Sequence, residues 1–447
     1  MIPSRNDGVC RVNEAPPRVA PRRVLSVVIA TSLVAAWTSG ACDVVTINTP
    51  TLPIYYNTTD RTNGGASFLT STSCKTCHAD IAQQYALHAH AFTLNRVQGG
   101  PPTFPAAADQ AGVPNPPDGY AWSDISYLLG GYAKRALFID NGGFILTTGL
   151  TGKATQWNLD TPPNGTTPGF ADFAPTAAAP LPYDFDRFRY ETTGPAPQDP
   201  SNPLFQENRP GFIGTWAEAG VQCEACHGPG SNHIPNPSAR DIFVDSPGAM
   251  TCKQCHSTPF DGPADEITGV DGFINPRSQW QELAASGGHA AFACTFCHDP
   301  HRGTSYDRAG AIRNECTVCH TEENMALHEG KVFVRPTDGY TETLTCESCH
   351  MPYAVKSGSS ASTAAVGPLA RVGDTRSHIF RITTEPLDYT GFFTPDGTRV
   401  VKDAEGRAAL TVDFVCLRCH NDVSLPTLSF SVERAAEIAI GVHQEFE

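Results

Sequence analysis

Residues 223–233 read Cys223-Glu224-Ala225-Cys226-His227-Gly228-Pro229-Gly230-Ser231-Asn232-His233, and the first five of them decide the fold. In one turn of helix, positions i and i+3 lie on the same side. Two thiols so spaced can each form a thioether with the two vinyl groups along one edge of a haem. The histidine after the second cysteine then reaches the iron from one face. This is the pattern of covalently attached c-type haem with a proximal histidine. The same Cys-x-x-Cys-His run recurs at Cys74/Cys77/His78, Cys252/Cys255/His256, Cys294/Cys297/His298, Cys316/Cys319/His320, Cys346/Cys349/His350 and Cys416/Cys419/His420. Only Cys10 and Cys42 of the 16 cysteines remain. Zinc knuckles need no histidine after every second cysteine, and two-residue disulfide loops are strained redox bridges rather than structural staples. Seven covalently attached haem c groups are expected.

Seven of the 15 histidines are proximal, leaving His88, His90, His233, His289, His301, His328, His378 and His443. Seven irons have seven further positions to fill, so an all bis-His protein is arithmetically available. Bis-His iron is closed to substrate and suits electron transfer. His301 stands too close to His298 in sequence to serve the same iron's other face, so it is expected to serve an adjacent haem, as is His233 after His227. His88 and His90 compete for one position; Ile81, Tyr85, His88 and Phe92 share one helical face, which favours His88. Met250, Met325 and Met351 are weaker axial candidates. His443 lies on a predicted helix with Val432, Ala436 and Ala439 on its face.

Residues 223–420 carry six motifs, whereas 149 positions separate Cys74 from Cys223. So dense a region cannot build an ordinary apolar core, and haems must form it. The expected fold is mainly α with little regular structure: short helices and loops around a haem chain, with a small β-hairpin-containing insert. The first hairpin joins Ala136–Asp140 to Gly143–Thr148 through Asn141-Gly142; a second is expected around Asp396-Gly397. Residues 356–373 read as a surface loop. The boundaries are 1–41 for a signal peptide, 42–72 for a tether, 73–222 for the region of the first haem and the haem-free insert, and 223–447 for a six-haem domain.

The chain has 447 residues, 40% of them hydrophobic and 17% charged, with 39 Gly and 37 Pro. That composition predicts many loops and excludes a collagen or a polytopic membrane protein. A net charge of −15 argues against nucleic acid as a partner. Five arginines before Val24 precede an apolar run to Trp37 and then Ser39-Gly40-Ala41, the pattern of an export signal. Cys42 stands where a lipoprotein is acylated, although Ser39 and Ala41 also suit ordinary signal cleavage. The expected location is the periplasm or the outer-membrane cell surface, with membrane attachment through a lipidated Cys42.

Cys223–His233 resembles a signature of exported multihaem cytochromes c. So do His289 through Cys294-Thr295-Phe296-Cys297-His298-Asp299-Pro300-His301, Cys346–His350 followed by Met351-Pro352, and Ser377-His378-Ile379-Phe380. The resemblance is to the group that includes hydroxylamine oxidoreductase and pentahaem nitrite reductase, and it covers roughly residues 70–445. It implies distal ligands at His90, His233, His289, His301 and His378, with His88 the spare; His328 and His443 complete the seven by count. Relatives often carry another haem motif shortly before the run that here is Gly214-Thr215-Trp216. Tyr183–Arg189 stands in that neighbourhood, with Phe185, Phe188 and Arg189 as candidate remains of a lost haem site. No Cys-x-x-Cys-Lys, the nitrite reductase variant, occurs. Tyr340, Tyr353 and Tyr389 are candidates for the cross-linked tyrosine of hydroxylamine oxidoreductase.

The expected function is carriage of electrons between redox partners, other cytochromes or quinol-linked complexes, along a chain of bis-His haems. Two alternatives stand beside it. One is a multihaem oxidoreductase acting on small nitrogen or sulfur species at an open haem; the other is a polymerising extracellular conduit.

Overall fold

The computed structural model describes residues 59–443, apart from the short stretches 61–64, 160–161, 238–241, 244–249, 259–264, 359–365 and 422–427. The expected export signal, Cys42 and most of the expected tether lie outside the described residues, as does part of the expected 356–373 loop.

The insert holds more β-structure than one hairpin. Eight strands form one sheet, running from Phe212–Ile213 through Leu181–Asp184, Phe144–Ile145, Arg135–Asp140 and Ile125–Gly130 to Leu94–Arg96. Gln156–Asn158 pairs with the remaining part of Arg135–Asp140 and carries Gly169–Ala171 beyond it. Every pairing is antiparallel except Phe212–Ile213 with Leu181–Asp184. The central strand follows from its sequence: Leu137 and Ile139 enter one apolar cluster, Ala136 and Phe138 another on the opposite face, the period-two alternation of a strand buried on both sides. Its neighbour breaks phase, since Ile125 joins the face of Leu128 rather than that of Tyr127. A register shift between Ile125 and Tyr127 accounts for it, because one extra residue turns the following side chains over. The Asn141-Gly142 turn is closed by Gly143 N donating to the Asp140 carbonyl (3.1 Å) and Phe144 N to the Asp140 carboxylate (2.9 Å). Gly143 has φ +88°, and a Cβ there would lie 2.9 Å from the Phe212 nitrogen, so only glycine fits.

Around the motifs regular structure is brief. Helices run four to eight residues, such as Cys223–His227, Cys294–Cys297, Cys346–His350 and Val432–Ala439. The last of these ends before His443, which the sequence places on it. In the other motifs one helical turn is recorded by the backbone: the histidine N–H donates to the first cysteine's carbonyl at Cys74 (2.9 Å), Cys252 (2.8 Å), Cys316 (3.0 Å) and Cys416 (2.9 Å). The largest apolar cluster here comprises Phe273, Ile274, Val355, Ile379, Phe392, Leu410 and Phe414 among others, with Cys349 and Cys416 packed against it. Val412–Val415 is wholly buried and delivers the chain directly to Cys416. Near Asp396-Gly397 the expected hairpin is reduced to a turn with one bridge, Phe393 to Val400.

Candidate haem sites

All fourteen motif cysteines and all fifteen histidines line one continuous cavity of about 3800 Å³. An ordinary small-molecule pocket holds roughly 300–1,000 Å³. Among the described residues none of these cysteines forms a disulfide, and no three His, Cys, Asp or Glu side chains converge as a metal cluster.

Each proximal histidine faces one other histidine across the cavity. His78 faces His233 (ring centroids 6.3 Å apart), His227 faces His301 (6.2 Å), and His256 faces His90 (5.9 Å). His298 faces His378 (6.2 Å), His320 faces His289 (5.9 Å), His350 faces His443 (5.8 Å), and His420 faces His328 (6.1 Å). The pairs use seven different second histidines, and His301 and His233 each face a proximal histidine other than their sequence neighbour. At a metal–nitrogen distance of about 2 Å, two imidazoles on opposite faces of one iron hold their centroids about 6 Å apart.

In five of these histidines the other ring nitrogen fits the same role, while Nδ1 of His233 and of His378 is buried without a hydrogen-bond partner among the described residues. A ligating histidine directs its second nitrogen to a carbonyl or carboxylate, which fixes the tautomer and frees Nε2 for the metal. Nδ1 meets the Phe243 carbonyl from His227 (2.8 Å), Gln279 Oε1 from His256 (3.0 Å), and the Phe380 carbonyl from His350 (2.8 Å). It meets the Leu428 carbonyl from His420 (3.1 Å) and the Asn324 carbonyl from His443 (2.7 Å). Burial lowers the pKa of His90, His256, His289, His298, His301, His328 and His420, and that of His378 to about 3. A metal ligand must be neutral, and desolvation keeps these so.

His88 differs. Its Nδ1 accepts the backbone N–H of His90 at 3.2 Å, so the ring proton sits on Nε2, the nitrogen a ligand would need. It lies between Tyr85 (5.0 Å) and His90 (4.4 Å). The helix that starts at Ala79 stops at Tyr85, so Ile81, Tyr85, His88 and Phe92 do not form one continuous face. His90 sits on a separate short helix, Ala89–Phe92.

The cavity's charge suits a carboxylate-bearing cofactor. Thirteen Lys and Arg side chains line it against seven Asp and Glu, in a chain of net charge −15. Fourteen thiols in i, i+3 pairs, seven histidine pairs at the bis-His separation and a cationic wall for propionates together fit haem c.

The tyrosine candidates have other partners. Tyr340 donates to Glu342 (2.9 Å), Tyr353 lies under Arg376 (4.4 Å), and Tyr389 lies under Arg371 (4.0 Å). Met325 and Met351 line the cavity without displacing a histidine from any pair. Phe185–Phe188 forms one short helix; Phe188 is fully buried against Tyr183 and Trp216, and Arg189 stacks over Phe185 and Tyr190.

Sequence reasoning missed the buried acids that hold the motifs. Glu224, inside the second motif, binds the backbone of Leu69, Thr70 and Gly230. Glu282 binds Ser377 Oγ (2.8 Å) and His378 N (2.7 Å), fixing His378 opposite His298. Glu342 ties the sixth motif to the seventh. Glu224 stands in plain view between Cys223 and Cys226; Glu282 lies 95 positions from Ser377, and Glu342, close before the sixth motif, lies 76 positions from Arg418.

No protein-family model matches the chain, and no curated protein does. Solved structures do match, and the one with a TM-score above 0.5 shares the fold. The Wolinella succinogenes octaheme sulfite reductase MccA aligns with TM-score 0.55 and 17% identity over 88% of this chain and 73% of its own. The outer cell wall cytochrome OcwA aligns with TM-score 0.46 and 16% identity over 83% of this chain and 86% of its own. The undecaheme S-layer cytochrome of Carboxydothermus ferrireducens aligns with TM-score 0.38 and 16% identity over 65% and 52%. The chain shares its fold with the octaheme protein.

Proposed function

We propose that the chain is an exported seven-haem c-type cytochrome that carries electrons between redox partners through irons closed by two histidines each. The observation that carries this reading is the set of seven histidine pairs, each joining one motif histidine to one distal histidine. Haem c, when bound, supplies an iron that cycles between Fe(III) and Fe(II). The cysteine pairs of the seven motifs would hold it by thioethers. His78, His227, His256, His298, His320, His350 and His420 would ligate from one side. His233, His301, His90, His378, His289, His443 and His328 would ligate from the other. Carbonyl oxygens orient the rings of His227, His256, His350, His420 and His443. Redox partner proteins would dock at the protected edges of the cavity, with basic patches meeting the acidic surface. Attachment to a membrane through Cys42, and narrower kinship with the hydroxylamine oxidoreductase and nitrite reductase group, belong to the same proposal.

The enzyme reading draws support from the fold shared with a sulfite reductase. It requires one iron without a distal histidine, whereas every motif histidine here faces one. The Phe185–Phe188 helix, with Arg189 after it, is proposed as the site of an eighth haem now replaced by aromatic packing. The intact mass of the holoprotein tests both counts: seven covalently bound haems are expected, and eight would refute the replacement.

A further inference from the structure

The first two motifs and the last two carry buried charge of opposite sign. Glu224 is 1% exposed. Its oxygens accept from Leu69 N (3.0 and 2.9 Å), Thr70 N (2.9 Å) and Gly230 N (2.7 Å). All these partners are N–H donors, which suit an ionised carboxylate. Glu218 accepts from Ser71 N (2.8 Å) and Ser71 Oγ (2.7 Å). Among the described residues no Lys or Arg pairs with either acid, and Lys75 in the first motif is exposed to solvent. The two motifs adjoin: the Cys74 sulfur is within hydrogen-bond reach of Cys223, and the charges of Glu224 and Glu218 both act on it.

At the other end Arg418 lies between Cys416 and Cys419 and is 4% exposed. It donates to Glu342 (2.6 and 3.1 Å) and to the Ser348 carbonyl (3.0 Å), inside the sixth motif. Glu342 also accepts from Arg376 (3.2 Å), Ser348 Oγ (2.7 Å) and Tyr340 (2.9 Å). Two guanidinium groups thus share one carboxylate. Arg335 beside them is balanced by Asp338, and Arg308 is shared between Glu347 of the sixth motif and Glu315. Arg418 acts as a positive charge on Cys349, Cys416 and Cys419, and Glu342 opposes it at Cys349 and Cys419.

Taking the seven-haem reading as given, we propose that this asymmetry sets the direction of electron flow, with the first two sites as the releasing end and the last two as the collecting end. An unbalanced buried anion favours Fe(III), the more positive state, and an unbalanced buried cation favours Fe(II). The transfer moves one electron, supplied by a reduced carrier protein. Fe(II) at the first pair is oxidised to Fe(III), Fe(III) at the last pair is reduced to Fe(II), and no proton or bond changes.

The test is potentiometric titration of the purified holoprotein, followed by haem absorption, in wild type, E224Q, R418M and R418K. E224Q is expected to raise the lowest couple and leave the highest in place. R418M is expected to lower the highest couple alone, and R418K, which keeps the charge, to restore it. If R418M loads its haems poorly, E342Q replaces it and must raise the highest couple. An unmoved lowest couple in E224Q, or equal shifts in R418M and R418K, overturns the proposal. Wild-type mass separates the two claims, since fewer than seven haems contradicts the reading beneath it and leaves the charge effects readable on the haems present.

Discussion

The first two motifs and the last two are each cross-braced by a buried polar group, by opposite means. Glu224 reaches from the second motif to the backbone just before the first, and its partners are amides. Arg418 reaches from the seventh motif to the sixth through Glu342, and its partner is a counter-ion. Backbone donors satisfy a carboxylate without burying a second charge. An ion pair buries two, and either half left alone is costly. The two ends should therefore differ in how they fail, and in what pH does to them.

The largest effect is expected at the ion pair. R418M leaves Glu342 buried with Arg376 as its single cation, and removing one half of a buried pair costs about 3–5 kcal/mol. Denaturant unfolding of the holoprotein measures it, and R418K should recover most of the loss.

Next comes the response to acid. Burial opposes ionisation of Glu342, but Arg418, Ser348 and Arg376 outweigh it and hold the carboxyl at about 2, below its ordinary 4.5. A depressed folded pKa gives stability that is present above the unfolded value and lost as pH falls through the folded one. The contribution, on the order of 3 kcal/mol, should disappear between about pH 4.5 and 2, and E342Q should flatten the stability profile in that window. Glu224 runs the other way. Burial raises its pKa against the pull of its three amide partners, so its ionisation opposes folding at neutral pH and that penalty is relieved as pH falls through the folded value.

E224Q is expected to cost less, about 1–3 kcal/mol, because one oxygen still accepts while the new amide nitrogen faces N–H groups. Limited proteolysis should then cut first in residues 65–73, and an unchanged digestion pattern would argue against the brace. The smallest effect is expected from His88→Ala. Its Nδ1 accepts from His90 N and its ring packs on His90, so the low-spin haem spectrum should shift slightly while the haem count stays the same. His90→Ala should instead open one iron.

Much of the site was legible because haem attachment is written locally, in five consecutive residues. The count of distal histidines was legible too, but not who faces whom, which depends on how distant segments such as 90 and 256 meet. The helical-face argument for His88 assumed one continuous helix, and the chain turns after Tyr85. In the insert, the Asn141-Gly142 turn marked one hairpin, but strands as short as Phe144–Ile145 and Phe212–Ile213 carry no readable period. Their sheet is held by partners far along the chain. The braces divide in the same way: Glu224 and Arg418 sit inside their motifs, whereas Glu342 is 76 positions from Arg418 and has no local signature.

The most direct test of the account is the EPR spectrum of the oxidised holoprotein, recorded with and without cyanide, nitrite or hydroxylamine, with His90→Ala as the opened control. Seven closed irons predict low-spin signals alone, unmoved by added ligand in the wild type. A high-spin signal in the wild type that shifts on ligand addition would contradict the account and identify an open, reactive haem.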